Sequence, residues 1–342
     1  MTPELAGDAA PRRVLITGAD GFLGRGLVQA LAGAPEVGCL VATDLRPVPP
    51  ERRLPGVVYD TLDVRDPGID ALLARHGIDS VVHLASIVTP GPESSRALEY
   101  AVDVLGTRNV LRASVARGVV HLVVSSSGAA YGYHADNPPW LRESDPLRGH
   151  RAFAYADHKR QVEEMLAEWR ASVPELRQTV LRIGTILGER VDNQITALFD
   201  KPRLLAIRGS DSPFVFVWDE DVVGAIVHAL RTRRAGCFNL AGDGALTLRD
   251  IARRLNKPLR ELPAGLLKAA LAVGHALRLT RYGPEQLDFL RYRPVLLNTA
   301  LKTEFGYQPR YTSRQAFDAF VAARAAQGRP VAAPGVVSDA TE

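Results

Sequence analysis

Three glycines within seven residues, Gly18-Ala19-Asp20-Gly21-Phe22-Leu23-Gly24, constrain this chain more than any other feature. They follow an apolar run, Val14-Leu15-Ile16, and open a helical pattern from about Phe22 to Ala32. In a strand–turn–helix of this kind Gly18 permits the tight turn and Gly21 lets backbone approach a diphosphate. Gly24 allows the helix to pack closely on the strand. Amide groups at the helix start then favour bound phosphate. A glycine triplet alone is weak evidence, but here the flanking strand and helix supply the context it needs.

Further apolar runs, at Cys39 to Thr43, Val57-Val58-Tyr59, Ser80 to Leu84, Val119 to Ser125 and Gln178 to Ile183, alternate with helical patterns. Continuous apolar strands separated by helices imply a parallel sheet covered on both faces. After Gly184 the rhythm loosens, and helical patterns near Thr247–Leu255, Leu262–Leu277, Pro284–Leu290 and Ser313–Ala325 dominate. The expected fold class is therefore α/β. A doubly wound parallel sheet spans 12–184, with 214–240 returning to it. A smaller, mainly helical substrate-binding region takes 185–213 and 241–325. The ends, 1–11 and the Pro-, Gly- and Ala-rich 327–342, read as disordered.

Asp44 lies 20 residues past Gly24, at the end of the second strand. A carboxylate there accepts hydrogen bonds from an adenosine ribose and repels a 2′-phosphate, which favours NAD over NADP. Arg46 is the counter-signal, since it would welcome that phosphate. Asp63-Val64 follows the third strand, where the acid would either meet an adenine edge or cap the next helix.

Only five lysines, Lys159, Lys201, Lys257, Lys268 and Lys302, stand among 42 basic residues. In a chain that writes nearly every positive charge as arginine, a lysine in a chemical setting marks a need for a compact ammonium. Lys159 has such a setting: Tyr155 precedes it by one helical turn, on the same face. A nearby ammonium favours a phenolate, so the pair is a candidate acid/base. Upstream, Ser125-Ser126-Ser127-Gly128-Ala129-Ala130-Tyr131-Gly132 follows the fifth strand, where hydroxyls at the carboxyl edge of a parallel sheet face a ligand crevice.

The remaining features exclude classes. A net charge of +4 spread over mixed signs offers no nucleic-acid footprint. Cys39 and Cys237 make neither a disulfide framework nor a zinc pattern, and the histidines show no metal spacing. Met1 to Ala10 has no apolar leader and no apolar run reaches spanning length. The expectation is a cytoplasmic protein with a small-molecule substrate and no metal, nucleic acid or membrane partner.

Taken together these segments resemble the extended short-chain dehydrogenase/reductases, within the NAD-dependent epimerase/dehydratase family. Thr17–Gly24, Asp63, His83-Leu84-Ala85, Ser125–Gly132, Tyr155–Lys159, Leu181-Arg182 ahead of Gly188, and Phe216-Val217 with Asp219 and Asp221 carry the likeness. So do Phe238–Gly242 and Gly306–Pro309. The resemblance implies a Rossmann-type sheet and a Ser-Tyr-Lys site: Tyr155 as acid/base, Lys159 tuning it and holding the nicotinamide ribose, Ser127 holding the reacting oxygen. It also implies cofactor contacts from Gly18, Asp20, Gly21, Phe22, Leu23 and Gly24. Asp44, Arg46, Asp63, Val64, Leu84, Ala85 and Ser86 complete that set with Tyr155 and Lys159. A homodimer through the helices around Arg96–Ala116 and Phe153–Trp169 is implied in the same way.

Departures narrow the expectation. Gly128-Ala129 follow Ser127 where the dehydratases place Asp-Glu. Thr185 and Asp103 stand where nucleotide-sugar enzymes usually carry Asn, and Arg293-Pro294-Val295 keeps half of an Arg-x-Gly-Asp pattern. The apolar stretch Leu262–Leu277 reads as core or interface, or as cover over a less polar substrate. The leading expectation is an NAD(P)-dependent oxidoreductase acting on a secondary alcohol or ketone. A sugar epimerase and a non-catalytic NAD(P) sensor are the alternatives.

Overall fold

The computed structural model describes residues 11–91, 93–277, 283 and 286–329. In chain order the strands are β1 (Arg12–Thr17), β2 (Val37–Asp44), β3 (Val57–Thr61), β4 (Ser80–His83), β5 (His121–Ser127) and β6 (Arg177–Ile183). The later ones are β7 (Thr185–Leu187), β8 (Leu204–Ile207), β9 (Phe216–Trp218), β10 (Gly236–Leu240) and β11 (Leu259–Leu262). The helices are α1 (Phe22–Leu31), α2 (Ile69–His76), α3 (Arg96–Tyr100), α4 (Thr107–Ala116), α5 (Ala154–Ser172) and α6 (Thr196–Phe199). They continue as α7 (Asp219–Thr232), α8 (Leu248–Arg254), α9 (Ala264–Ala276), α10 (Gln286–Arg291) and α11 (Ser313–Ala326).

Seven strands form one parallel sheet in the order β10-β6-β5-β4-β1-β2-β3. Side chains alternate across a strand, so a strand buried on both faces must be apolar at consecutive positions. β1 does this: Val14 and Ile16 enter the core shared with α1 and α7, while Leu15 enters the core under α2, α4 and α5. Leu40 and Ala42 against Val41, and Val123 against Leu122 and Val124, repeat the division.

A separate aromatic core holds the rest of the chain together. Phe199, Phe214, Phe216, Phe317 and Phe320 are buried there, with the Phe199 and Phe317 rings 5.3 Å apart and edge-to-face. Two short parallel pairs, β8 with β11 and β7 with β9, frame it. The helix that starts this region's last segment, α11, is entered through a capping box of Thr312 and Gln315.

Two expectations are corrected. Gln327 and Arg329, read as disordered, are ordered: Gln327 Nε2 donates to the Glu189 carbonyl and the Arg329 amide to that of Arg324. The other expected disordered stretches, 1–10 and 330–342, lie outside the described residues, as does part of the predicted Pro284–Leu290 helix. The apolar helix α9 is not core along its length, since Leu266 and Val273 are exposed, which leaves the interface reading in place. No described helix is long and apolar enough to cross a membrane.

Candidate active site

The glycine loop is built as its spacing demands. Gly18 has φ +69°, and a Cβ there would press on the Ala85 amide. A Cβ on Gly24 would overlap the Gly18 carbonyl and Ala19. Gly21 caps α1, and among the described residues no side chain closes that helix start. Helix N-termini leave backbone N–H groups unsatisfied and carry partial positive charge, so this one fits a phosphate.

Asp44 locks the loop. Its carboxylate accepts the Asp20 amide at 2.9 Å and the Leu45 amide at 2.8 Å, which brings the end of β2 against the turn. The Asp20 side chain faces Arg52 at 2.9 Å and Arg25 at 3.9 Å. Arg46 is exposed. These features fit an adenosine diphosphate cofactor along the edge formed by β1 and β2.

Asp63 is ion-paired with a neighbour. Its carboxylate takes the Arg65 amide at 2.9 Å and the Arg65 guanidinium, which holds it below the ordinary carboxylate range. It caps no helix, because α2 begins only at Ile69 with Gly68 at its N-cap. Val64 is buried in the core against Gly106, so only its backbone is available to a ligand. Ala85 packs under Gly18, whereas Leu23, Leu84 and Ser86 line a cavity beside the loop.

That cavity, of about 330 Å³, has Ser127, Tyr155 and Lys159 in its wall. Ser127 ends β5; its hydroxyl accepts the Ala129 amide at 3.2 Å and reaches the Tyr155 phenol. Lys159 Nζ donates to the Ser125 carbonyl at 2.9 Å and lies 5.6 Å from the centre of the Tyr155 ring. Sequence spacing thus brings these three side chains together at the carboxyl edge of the sheet.

The electrostatics differ from the expectation. Burial pushes the Tyr155 phenol up to about 12, with the Ser127 hydrogen bond pulling the other way and the Asp103 charge adding to the rise. The Lys159 ammonium is drawn down by burial, against the opposing pull of Asp103 and Glu163. Its nearest acceptor is a carbonyl rather than the phenol, so the lysine does not by itself produce a phenolate.

Beneath the site, His83 is buried between the Thr17 hydroxyl (2.7 Å) and the Thr107 hydroxyl (3.0 Å). Thr107 donates to the Asp103 carbonyl, so it accepts from His83 Nε2, leaving Nδ1 to accept from Thr17. Burial takes the imidazole down to about 3, and it stays neutral. His158 points away from Tyr155, toward Asp103. Glu163 pairs with Arg182 at 2.7 Å behind Ser126.

Apart from Arg293, the opposite wall comes from residues that no motif marked. Tyr133, Phe214 and Phe289 give it an aromatic surface, and Asn193 and Gln194 add amides. Arg293 sits over the Phe214 ring at 4.0 Å and donates to the Ser212 hydroxyl at 2.7 Å, while burial lowers its guanidinium to about 10. It pairs with no carboxylate among the described residues. Among those residues no group of three His, Cys, Asp or Glu is placed to hold a metal ion.

Several known proteins are similar to this chain. An uncharacterised Mycobacterium tuberculosis protein is 28% identical over 320 residues, covering 92% of this chain and 84% of its own. An N-acetyl-alpha-D-glucosaminyl-diphospho-ditrans,octacis-undecaprenol 4-epimerase of Escherichia coli O157:H7 is 35% identical over 179 residues, about half of each chain (52% and 50%). Among solved structures, the Bordetella bronchiseptica enzyme WbmG in complex with NAD and UDP superposes with a TM-score of 0.71 at 18% identity, covering 93% and 96% of the two chains. The Thermotoga maritima UDP-glucose 4-epimerase with UDP-glucose gives 0.70 at 19%, covering 92% and 99%. These superpositions establish the fold. A family model spans residues 14–241, from the first strand to the end of β10, and on that match the chain belongs to the NAD dependent epimerase/dehydratase family of enzymes.

Proposed function

We propose that the protein is an NAD-dependent oxidoreductase acting on a secondary alcohol or ketone, with Ser127, Tyr155 and Lys159 as its reacting groups. The observation that carries this reading is the meeting of Ser127, Tyr155 and Lys159 in one cavity wall, with the Lys159 ammonium beside the Tyr155 ring. Ser127 and Tyr155 would hold one substrate oxygen between two hydroxyls, and Tyr155 would give it a proton or take one from it. Lys159 would keep positive charge next to that oxygen and favour the phenolate when oxidation requires it. The bound nicotinamide supplies the hydride acceptor or donor. Gly18 to Gly24 would seat the diphosphate and Asp44 the adenosine ribose, which supports NAD over NADP.

A second reading, epimerisation of a sugar carried on a diphosphate, draws on the E. coli relative's stated activity and on Arg293. That guanidinium, without a carboxylate partner among the described residues, would receive an anionic group at the far wall. Residues 185–213 and 241–325 are read as the substrate-binding part. The partly exposed Leu98 and Tyr100 on α3, beside α5, support a homodimer. Absorbance of NADH during turnover of candidate alcohols separates the readings, because an epimerase gives no net change. Full activity in Tyr155→Phe would overturn both, and tight NAD binding without any turnover would instead indicate a sensor.

A further inference from the structure

We propose that Asp103 is a positioning residue of this site, joining the cavity lip to the helix that carries Tyr155 and Lys159 and sustaining the buried Lys159 ammonium. This rests on the reading that Tyr155 and Lys159 react. Asp103 lies in a wide π-helical turn, Ala101–Gly106, and is 2% exposed. One carboxylate oxygen accepts the Ser86 hydroxyl at 3.0 Å and the Ile87 amide at 2.9 Å. The other faces His158 Nδ1 at 3.2 Å, and His158 is the residue next to Lys159. A buried carboxylate is costly unless each oxygen is satisfied, and here both are.

The two halves of this clamp serve different ends. Ser86 lines the cavity with Val88 and Thr89, so the first oxygen fixes the lip that follows β4. The second fixes α5 at the turn between Tyr155 and Lys159, with the Tyr100 ring edge-on to His158 at 5.7 Å. The charged and titratable groups around it are Tyr155, His158 and Lys159 on α5, with Glu163 a turn beyond, and His83 at the end of β4. Glu163 is already paired with Arg182, and His83 is neutral. Asp103 is thus the first of two carboxylates, with Glu163 the second, that offset the burial of Lys159.

The scarcity of lysine makes the test direct. Protein labelled with ¹³C at the lysine ε-carbon has five such residues, and Lys159→Arg identifies the Lys159 resonance. In Asp103→Asn the Lys159 titration midpoint should fall by about one unit or more, with the other four unmoved. The double variant Asp103→Asn/His158→Gln replaces the pair by two amides that can still hydrogen-bond to each other. It should keep the lowered midpoint. It also serves if the single variant does not fold. A Lys159 midpoint that stays at its wild-type value in the folded variants overturns the proposal. The titration needs neither cofactor nor substrate, so it fails independently of the catalytic reading, which Tyr155→Phe tests.

Discussion

The Ser127 hydroxyl and the Tyr155 phenol line one cavity, and the serine draws the phenol's pKa down, although the two residues come from different elements, the end of β5 and the first turn of α5. If both hold one substrate oxygen, removing either hydroxyl should cripple turnover without harming the fold. Tyr155→Phe and Ser127→Ala are expected to lose about 100- to 10,000-fold in kcat. NAD affinity by fluorescence titration and the unfolding temperature should stay close to wild type.

The Tyr155 phenol, raised to about 12 by burial, keeps its proton at neutral pH. As a proton donor it is ready for ketone reduction, whereas alcohol oxidation needs it deprotonated. The oxidation rate should therefore climb with pH between about 7 and 10, while the reduction rate stays level and declines only at the alkaline end. Stopped-flow NADH absorbance in both directions checks this, and an oxidation rate independent of pH would count against Tyr155 as the base.

Gly24→Ala places a methyl group against the Gly18 carbonyl and Ala19, both backbone positions that cannot yield. The turn must open, moving the helix start that is proposed to seat the diphosphate. NAD affinity should drop by about tenfold or more, a loss of roughly 1.4 kcal/mol in binding. Isothermal titration measures it directly.

Asp44→Ser removes a negative charge while keeping a hydrogen-bonding group near the Asp20 amide. Affinity for NAD should fall and discrimination against NADP should shrink, since the repulsion of a 2′-phosphate is gone. The ratio of the two dissociation constants is the quantity to follow. An unaltered ratio would place the ribose elsewhere.

His83 is neutral in the folded protein down to about pH 3 but titrates near its ordinary 6.5 once unfolded. Between those values the unfolded chain binds the extra proton. Its contribution to stability is complete above about 6.5 and is lost as pH falls toward 3. His121, lowered to about 4 by burial, acts in the same direction. The midpoint of thermal unfolding should decline across this window. His83→Gln should flatten the decline, as read by calorimetry at several pH values.

What was legible in the chain follows from range. The glycine loop, Asp44 after β2, and Tyr155 one turn before Lys159 are local patterns, and each appears where its spacing placed it. Strands buried on both faces were readable because two-sided burial leaves consecutive apolar residues. The Lys159 bond to the Ser125 carbonyl was not, because it joins residues 34 apart in sequence through a tertiary contact. Arg293 and Phe289 reach the cavity from the far end of the chain, and β8 finds β11 across two helices and two strands. Asp63 shows a different limit: its spacing did not reveal the ion pair it makes with its own neighbour, Arg65.

β6 and β10 are neighbours in the sheet, yet all of 184–235 is threaded between them. Apart from Tyr133, the far wall of the cavity is drawn from that excursion and from chain beyond β10, whereas Ser127, Tyr155 and Lys159 stand on segments that precede it. Reactivity and recognition are therefore encoded in separable stretches of polypeptide. Grafting 185–213 or 286–296 from a relative would exchange what the cavity admits and leave the proton-handling groups on their original scaffold.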